Sequence, residues 1–389
     1  MSARHVAAAA CAMVTDDSQY LHCYSSVFAY VRQAATPAAL AAPKSMLLVG
    51  THAYPSSFYT VGVLHDNSLE ALAAAGAADA PAFFCIHSGV VYAVNSVAGD
   101  GFVSAYTLGA DYKTKRLNFM SSGGNEPAYL SLDRRGSHVL VANYSNAGNG
   151  SVSVYAIDGG TGALGACTCL LNFPAPSHAH CILTDPSDEY ALVADLGANC
   201  VYVFLYDAGA GVIDPKPTAI IPFPLNAGPR HIVFSDNPTL PLCFYVICQG
   251  SNEIYAYDWP AFDTGPFQIT STQPGPDVSN AAEILYYTAP TGESYVFASN
   301  RCPAPGVSTI VTFSVYSAGK LCAKQIISSG GNVAWNMAFD KATSALAVTN
   351  TDTNNLVLFT FSRETLLKQV SETGPFPSAP FGVQFIPAA

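Results

Sequence analysis

PAYLSLDRRGSHVLVANYSNAGNGSVSVYAIDGGTGALGACTCLLNF, residues 127–173, contains four apolar runs separated by polar turns. PAYLSL, HVLVAN, SVSVYAI and GACTCLLNF are too short for helices, and their Val, Leu, Ile and Tyr content reads as β-structure. The intervening DRRGS and DGGTG supply the glycine and aspartate that tight turns require. One stretch of under fifty residues thus encodes a four-stranded antiparallel unit.

Its second run, VLVAN (139–143), recurs along the chain as LLVGT (47–51), VYAVN (91–95), ALVAD (191–195), YVICQ (245–249), VFASN (296–300) and LAVTN (346–350). The runs end at Thr51, Asn95, Asn143, Asp195, Gln249, Asn300 and Asn350, spaced 44, 48, 52, 54, 51 and 50 residues apart. A period near 50 is that of propeller blades. Each run is followed by a third strand, such as TVGVL (60–64) or NLVLF (355–359), and no segment between them has helical periodicity. The expected fold is all-β, a seven-bladed β-propeller of four-stranded antiparallel blades. PFGVQF (380–385) is a leading strand with no successor, and LLVGT lacks a leading strand. The C-terminal strand is therefore expected to become the inner strand of the N-terminal blade, closing the ring and removing a sheet edge.

The domain expected from the repeats spans residues 46–389, preceded by an extension over residues 1–45. Within the extension, Val6–Val14 is an apolar run without the basic start of a signal peptide, and Tyr20–Val31 has strand-like composition. Among 389 residues, 16 are Lys or Arg and 27 Asp or Glu, giving a net charge of −11. Only 11% are charged and 50% are hydrophobic, ample for a large core. The acidic balance without a basic stripe argues against a nucleic-acid partner, and no apolar run long enough to span a bilayer argues against a membrane partner. The 11 cysteines form no CxxC pair, which fits a reducing, cytoplasmic setting.

Antiparallel order brings the start of each inner strand and the end of each second strand to one face of the ring. The inner strands begin at PAFF (81–84), PAYL (127–130), HAHC (178–181), PRHI (229–232), AAEI (281–284), AWNM (334–337) and PFGV (380–383). Third positions then give Phe83, Tyr129, His180, His231, Glu283, Asn336 and Gly382, and second positions include Arg230, Trp335 and Phe381. Arg301 directly follows the second-strand residue Asn300. Two histidines, a carboxylate and two arginines converge on half of one face, where a ligand funnel is expected.

Arg230 and Arg301 suit a carboxylate or phosphate through their planar forks, the bland reading being a structural pairing with Glu283 or a loop. His180 suits a general acid or base, with a packed, hydrogen-bonded histidine as the alternative. Glu283 is the one carboxylate at an inner-strand start and is expected to orient His180 or to bind a ligand hydroxyl. His178, Gln249, Asn300, Trp335 and Asn336 complete the expected substrate-binding set, although asparagines at such positions also hold turns. His231 is expected to pack. No metal site and no cofactor are expected, since the only ligand-like spacing is the HxH of His178 and His180.

VGTHAY (49–54), SSGGNEPAYLSLD (121–133), VANYSNAGNGSVSVY (141–155), HAH (178–180), VADLGANCVYVF (193–204), GPRHIVF (228–234), NAAEI (280–284) and ASNR (298–301) together resemble the seven-bladed propeller lactonases, which include propeller-type 6-phosphogluconolactonases and the fungal carboxymuconate lactonizing enzyme. The resemblance implies metal-free lactone chemistry, with the family's histidine and arginines at His180, Arg230 and Arg301. Its glutamate is replaced here by Gln249, which cannot take a proton. The resemblance thus implies a small anionic substrate, a sugar lactone hydrolysed to its acid. The alternatives are cyclisation of a muconate-like diacid and metabolite or protein binding without turnover.

Overall fold

The repeated runs form seven antiparallel sheets in the computed structural model, which describes residues 42–387 except 53–56, 98–99, 146–148 and 274–279. The compact unit is Pro43–Ala389; the strand expected over 20–31 lies outside the described residues. In the third blade the strands run outward in chain order: Pro127–Leu132, His138–Asn143, Ser151–Ile157 and Leu164–Asn172. The other blades repeat this plan. In the fourth, the outer edge is divided between Val212–Ile213 and Ala219–Pro222, both paired to Cys200–Asp207, so that sheet has five strands rather than the expected four. Pro215 and Pro217 lie between the two pieces and cannot donate to a ladder, which accounts for the break.

Ring closure follows the expectation. Pro380–Ile386 pairs antiparallel with Ser45–Thr51, as the inner strand of the first blade. Side chains from both sides of the seam form one core: Leu47, Val61 and Val383 of the first blade meet Ala347 and Leu358 of the seventh. Burial explains the sequence texture. Second strands such as His138–Asn143, Cys243–Cys248 and Ala345–Asn350 are buried at every position, hence their continuous apolar runs. Outer strands such as Leu321–Ser328 are mostly exposed along their length. Cys181, Cys200, Cys243 and Cys248 are buried free thiols that fill core space as small apolar groups.

The asparagines that punctuate the repeat are latches. Asn95 Nδ2 donates to the Asp79 carbonyl at 2.7 Å, Asn143 to Ser122 at 2.9 Å, Asn300 to Thr272 at 2.7 Å and Asn350 to Ser329 at 3.2 Å. Each thereby ties the end of its second strand to the loop that leads into the inner strand of the same blade. Asp195 does the same work in the fourth blade, accepting from Ser177 Oγ at 2.5 Å and His178 N at 2.8 Å. Asn350 is fully buried and also accepts from Ser329 Oγ at 2.7 Å. Asn350→Ala removes the donor to the Ser329 carbonyl and one of the two acceptors of its hydroxyl, the other being the Gly331 carbonyl at 3.1 Å, and is expected to cost about 2 kcal/mol. Chemical denaturation of the variant beside the parent protein measures this directly.

Candidate active site

The register of the inner strands decides which side chains reach the mouth of the ring. Pro127 pairs with Asn143 and Tyr129 with Ala142, so Ala128 is an extra residue opposite no partner. The same β-bulge recurs between Pro81 and Phe83, Ala179 and Cys181, Pro229 and His231, and Ala334 and Asn336. In the sixth blade Ala282 and Glu283 share the space opposite Ser299, and in the first the shift leaves out Phe381. A bulge re-aims the unpaired residue. Here it turns Ala82, Ala128, His180, Arg230, Trp335 and Phe381 to a common cavity of about 350 Å³.

This corrects the alignment drawn from sequence in two blades. His180 belongs with Arg230 and Trp335 at the bulge, and Cys181 takes the third position beside Tyr129, His231, Glu283 and Asn336. Likewise Pro229 pairs with Cys248, so Gln249 lies one residue beyond the second-strand end, level with Arg301, Tyr144 and His52. That following position is the second source of the cavity wall, supplying His52, Ser96, Tyr144, Gln249 and Arg301. Glu126, from the loop before the third blade, completes it.

Of the residues expected from sequence, His180, Arg230, Arg301, Gln249 and Trp335 line the cavity. The others do not. Asn300 is a latch, hydrogen-bonded to Thr272 and Thr309. His178 stacks on Tyr144 at 4.4 Å and donates from Nδ1 to its carbonyl at 3.0 Å, steadying the wall from behind. Glu283 does not hydrogen-bond His180. Its Oε1 accepts from His231 Nδ1 at 2.8 Å and Ile284 N at 3.0 Å, and its Oε2 from Asn336 Nδ2 at 2.6 Å. Asn336 in turn accepts from Val383 N at 3.0 Å. These groups form a buried polar layer one residue deeper than the cavity floor. Tyr144, Phe381, His52 and Glu126 were not in the expected site set. For His52 and Tyr144 the available signal was their place directly after a second strand, the position that singled out Arg301.

Trp335 presents its ring to both guanidiniums, with Arg301 Cζ 4.8 Å and Arg230 Cζ 5.7 Å from the centroid. Its ring attracts both cations. Phe381 follows at 4.6 Å and His52 stacks on Phe381 at 4.6 Å, making one wall aromatic. Arg301 Nη2 donates to Gln249 Oε1 at 2.6 Å, and Arg230 Nη1 to the Ala282 carbonyl at 2.6 Å. Both contacts are to neutral oxygens.

Burial opposes charge throughout this layer. It lowers Arg230 to about 10 and, with repulsion from Arg230, Arg301 to about 9, so both stay charged at neutral pH. His180 is pushed well below the usual imidazole value by burial, then by Arg230, His231 and Arg301. His231 moves the same way through burial and the two arginines. Burial raises Glu283 to about 7. Two buried polar atoms at the floor, His180 Nδ1 and Arg230 Nε, have no hydrogen-bond partner among the described residues. Buried groups in native proteins are rarely left so, and a ligand's oxygens would satisfy them.

A wider cleft of about 700 Å³ opens at the opposite ends of the inner strands, between Leu132, Thr184 and Phe234. Its charged lining residues are Arg134 and Asp236, and it contains no histidine. Among the described residues, no three His, Cys, Asp or Glu side chains are grouped to hold a metal ion.

Residues 47–382 match the family described as Lactonase, 7-bladed beta-propeller. The chain belongs to that lactonase family. It is 28% identical over 290 residues to the 6-phosphogluconolactonase of Bacillus subtilis, covering 71% of this chain and 78% of the relative. It is 28% identical over 267 residues to the 6-phosphogluconolactonase of Formosa agariphila, covering 64% and 71%. The solved Pseudomonas aeruginosa periplasmic gluconolactonase PpgL has the same fold, with a TM-score of 0.75 and 21% identity over 88% of this chain and 99% of its own. These likenesses span the propeller that carries the bulge residues.

The depressed basicity of the lactonase-type floor has a direct consequence. At pH 6 an exposed imidazole is largely protonated, whereas His180 is expected to stay neutral until the pH falls well below 6. A ¹⁵N-imidazole titration of the ligand-free protein, assigned with His180→Asn, checks this; an ordinary titration near 6.5 would contradict it.

Proposed function

We propose that the protein hydrolyses a lactone carrying an additional anionic group, with a phosphorylated sugar lactone as the leading substrate. The observation that carries this reading is the placement of His180 and Arg230 at neighbouring bulges, each with an unpartnered buried nitrogen, and of Arg301 across Trp335. An imidazole beside a guanidinium provides a proton acceptor and an oxyanion partner together. A second guanidinium nearer the rim provides a place for the substrate's phosphate or carboxylate.

In this mechanism Arg301 anchors the anionic group, and the aromatic wall carries the apolar face of the ring. Water attacks the carbonyl carbon as His180 takes its proton. The negative charge that develops on the carbonyl oxygen is met by Arg230. Collapse of the tetrahedral intermediate breaks the bond between the carbonyl carbon and the ring oxygen. The imidazolium then returns its proton to the departing alkoxide, leaving the open hydroxy acid. Burial is the first cause of the low basicity of His180 in the free protein, and a bound anion would offset the smaller contribution of the two arginines.

Gln249 fits a substrate of higher negative charge. As a neutral acceptor it orients Arg301 without cancelling its charge, and the hydrogen bonds shown for the two guanidiniums among the described residues go to Gln249 and Ala282 oxygens. A second reading, cyclisation of a muconate-type diacid, uses the same two arginines for two carboxylates. The stacked surface of His52, Phe381 and Trp335 favours it, because a planar conjugated diacid lies flat on such a wall.

The test is turnover of freshly prepared 6-phosphogluconolactone, read by a coupled dehydrogenase that oxidises the product, with spontaneous hydrolysis subtracted. Rapid turnover is expected, with kcat/KM falling by a factor of about 10² or more in His180→Asn and in Arg230→Ala. Arg301→Ala is expected chiefly to raise KM, since it removes binding common to ground and transition states. No rate above background, with cyclisation of a carboxymuconate instead, would decide for the second reading.

A further inference from the structure

The cavity differs from one side to the other, and the difference follows from blade order. Successive inner strands touch all the way round the ring, so the third blade lies across the axis from the sixth and seventh. The bulges place His180 on the fourth blade, Arg230 on the fifth and Trp335 on the seventh, but only Ala82 and Ala128 on the second and third. Open space is therefore left against the second and third blades, beside Ser96, Glu126 and Tyr144. Glu126 is the one carboxylate among the lining residues. Its carbonyl accepts from Tyr144 N at 3.0 Å, and the Asn125 carbonyl from Ser145 N at 3.0 Å, which clamps this loop to the end of the second strand. The neighbouring Tyr144 hydroxyl feels both sides: burial and then Glu126 raise it, while Arg230 and Arg301 act the other way. One side of the cavity is thus cationic, and the other offers a carboxylate.

We propose that Glu126 is a specificity-determining residue, which accepts hydrogen bonds from the ring hydroxyls of a sugar lactone and so selects it over an anion without hydroxyls. This rests on the lactonase reading, in which Arg230 meets the carbonyl oxygen and Arg301 the anionic group. In a phosphorylated six-membered sugar lactone, the carbonyl carbon and the carbon bearing the phosphorylated arm both flank the ring oxygen. The free hydroxyls occupy the opposite edge of the ring. With the carbonyl at His180 and Arg230 and the phosphate at Arg301, that edge points across the axis to the third blade. A carboxylate offers acceptors only, which suits hydroxyl donors and makes each such bond charge-assisted. A site built to bind a hydroxyl discriminates against the analogue that lacks it. A muconate-type diacid brings Glu126 no donor and adds a second anionic group to the same cavity, where like charges repel. Glu126 thereby favours the lactone over the diacid.

Two measurements test the proposal on the full chain. The first is calorimetric binding of three unreactive ligands: 1,5-anhydroglucitol 6-phosphate, its counterpart without ring hydroxyls (tetrahydropyran-2-ylmethyl phosphate), and adipate, a diacid without hydroxyls. Glu126 has a φ of 51°, and Gly228 holds the same place before the inner strand of the fifth blade at 64°, so Glu126→Gly removes the side chain at a position where the backbone accepts glycine. The parent protein is expected to bind the hydroxylated phosphate about tenfold more tightly than the hydroxyl-free one, the scale of one hydrogen bond to a charged group. Glu126→Gln should narrow that ratio and Glu126→Gly abolish it, while adipate binds more tightly to both variants. The second measurement is kcat/KM for 6-phosphogluconolactone, corrected for spontaneous hydrolysis, which should fall about tenfold in Glu126→Gly. A ratio near one in the parent protein, a ratio unchanged in Glu126→Gly, or lactone turnover indifferent to the substitution would overturn the proposal. Absence of lactone turnover in the parent, alongside the expected binding ratios, would instead remove the lactonase reading and leave Glu126 as the hydroxyl acceptor.

Discussion

The site depends on one extra residue in each inner strand. Without the bulge, period-2 alternation would place residues 180, 230 and 335 toward the neighbouring sheets, where an arginine or tryptophan has no room. With it, each blade offers two successive residues to the axis. One looks up into the cavity and the next looks into the channel below. The two layers have separate tasks. His180, Arg230, Trp335 and Phe381 face the ligand side, while His231, Glu283 and Asn336 face one another. The latch asparagines and Asp195 act at the same height, fixing the loops that lead into five of the bulges.

The second constraint is electrostatic. Arg230 is almost completely buried, and a buried cation is tolerated only with a counter-charge. Its own hydrogen bond goes to a peptide carbonyl, so the compensation comes from Glu283 at one remove. That arrangement leaves the guanidinium attracted from below but unpaired toward the cavity. Direct pairing of the kind seen on the surface, as between Arg116 and Asp79, would have consumed the same donors.

Much of the fold was legible because propellers repeat. Seven apolar runs ending in Asn, Asp, Thr or Gln, with a C-terminal strand lacking a successor, carry the blade number and the closure in their spacing. The candidate site was legible only to within one residue. HAHC and PRHI look alignable from their first letters, but the ladder begins at Ala179 in one and at Pro229 in the other. His180 was therefore grouped with the channel layer when it belongs to the cavity. Gln249 was misplaced for the same reason, since YVICQ ends one residue past the pairing position held by Asn143 and Asn300. Residue types do not mark a bulge, because the extra position is alanine in some blades and arginine or tryptophan in others. Glu283 illustrates a different limit: the sequence showed a lone carboxylate near two arginines, but only the register showed it lying beneath them.

Taken together, the two constraints specify what kind of ligand completes the molecule. The latches hold the loops around the cavity through buried hydrogen bonds, so the cavity walls are built before anything binds and little ordering remains to be done. The charge is arranged oppositely: Arg230 and Arg301 share the face of Trp335 and are bonded to neutral oxygens. With Glu126 as the one carboxylate among the lining residues, the cavity sets two guanidiniums against one carboxylate, a balance that favours an anion over a neutral ring of the same size. Burial first, then Arg230, His231 and Arg301, depress His180, and an anion in the cavity would offset the arginines' share of that effect.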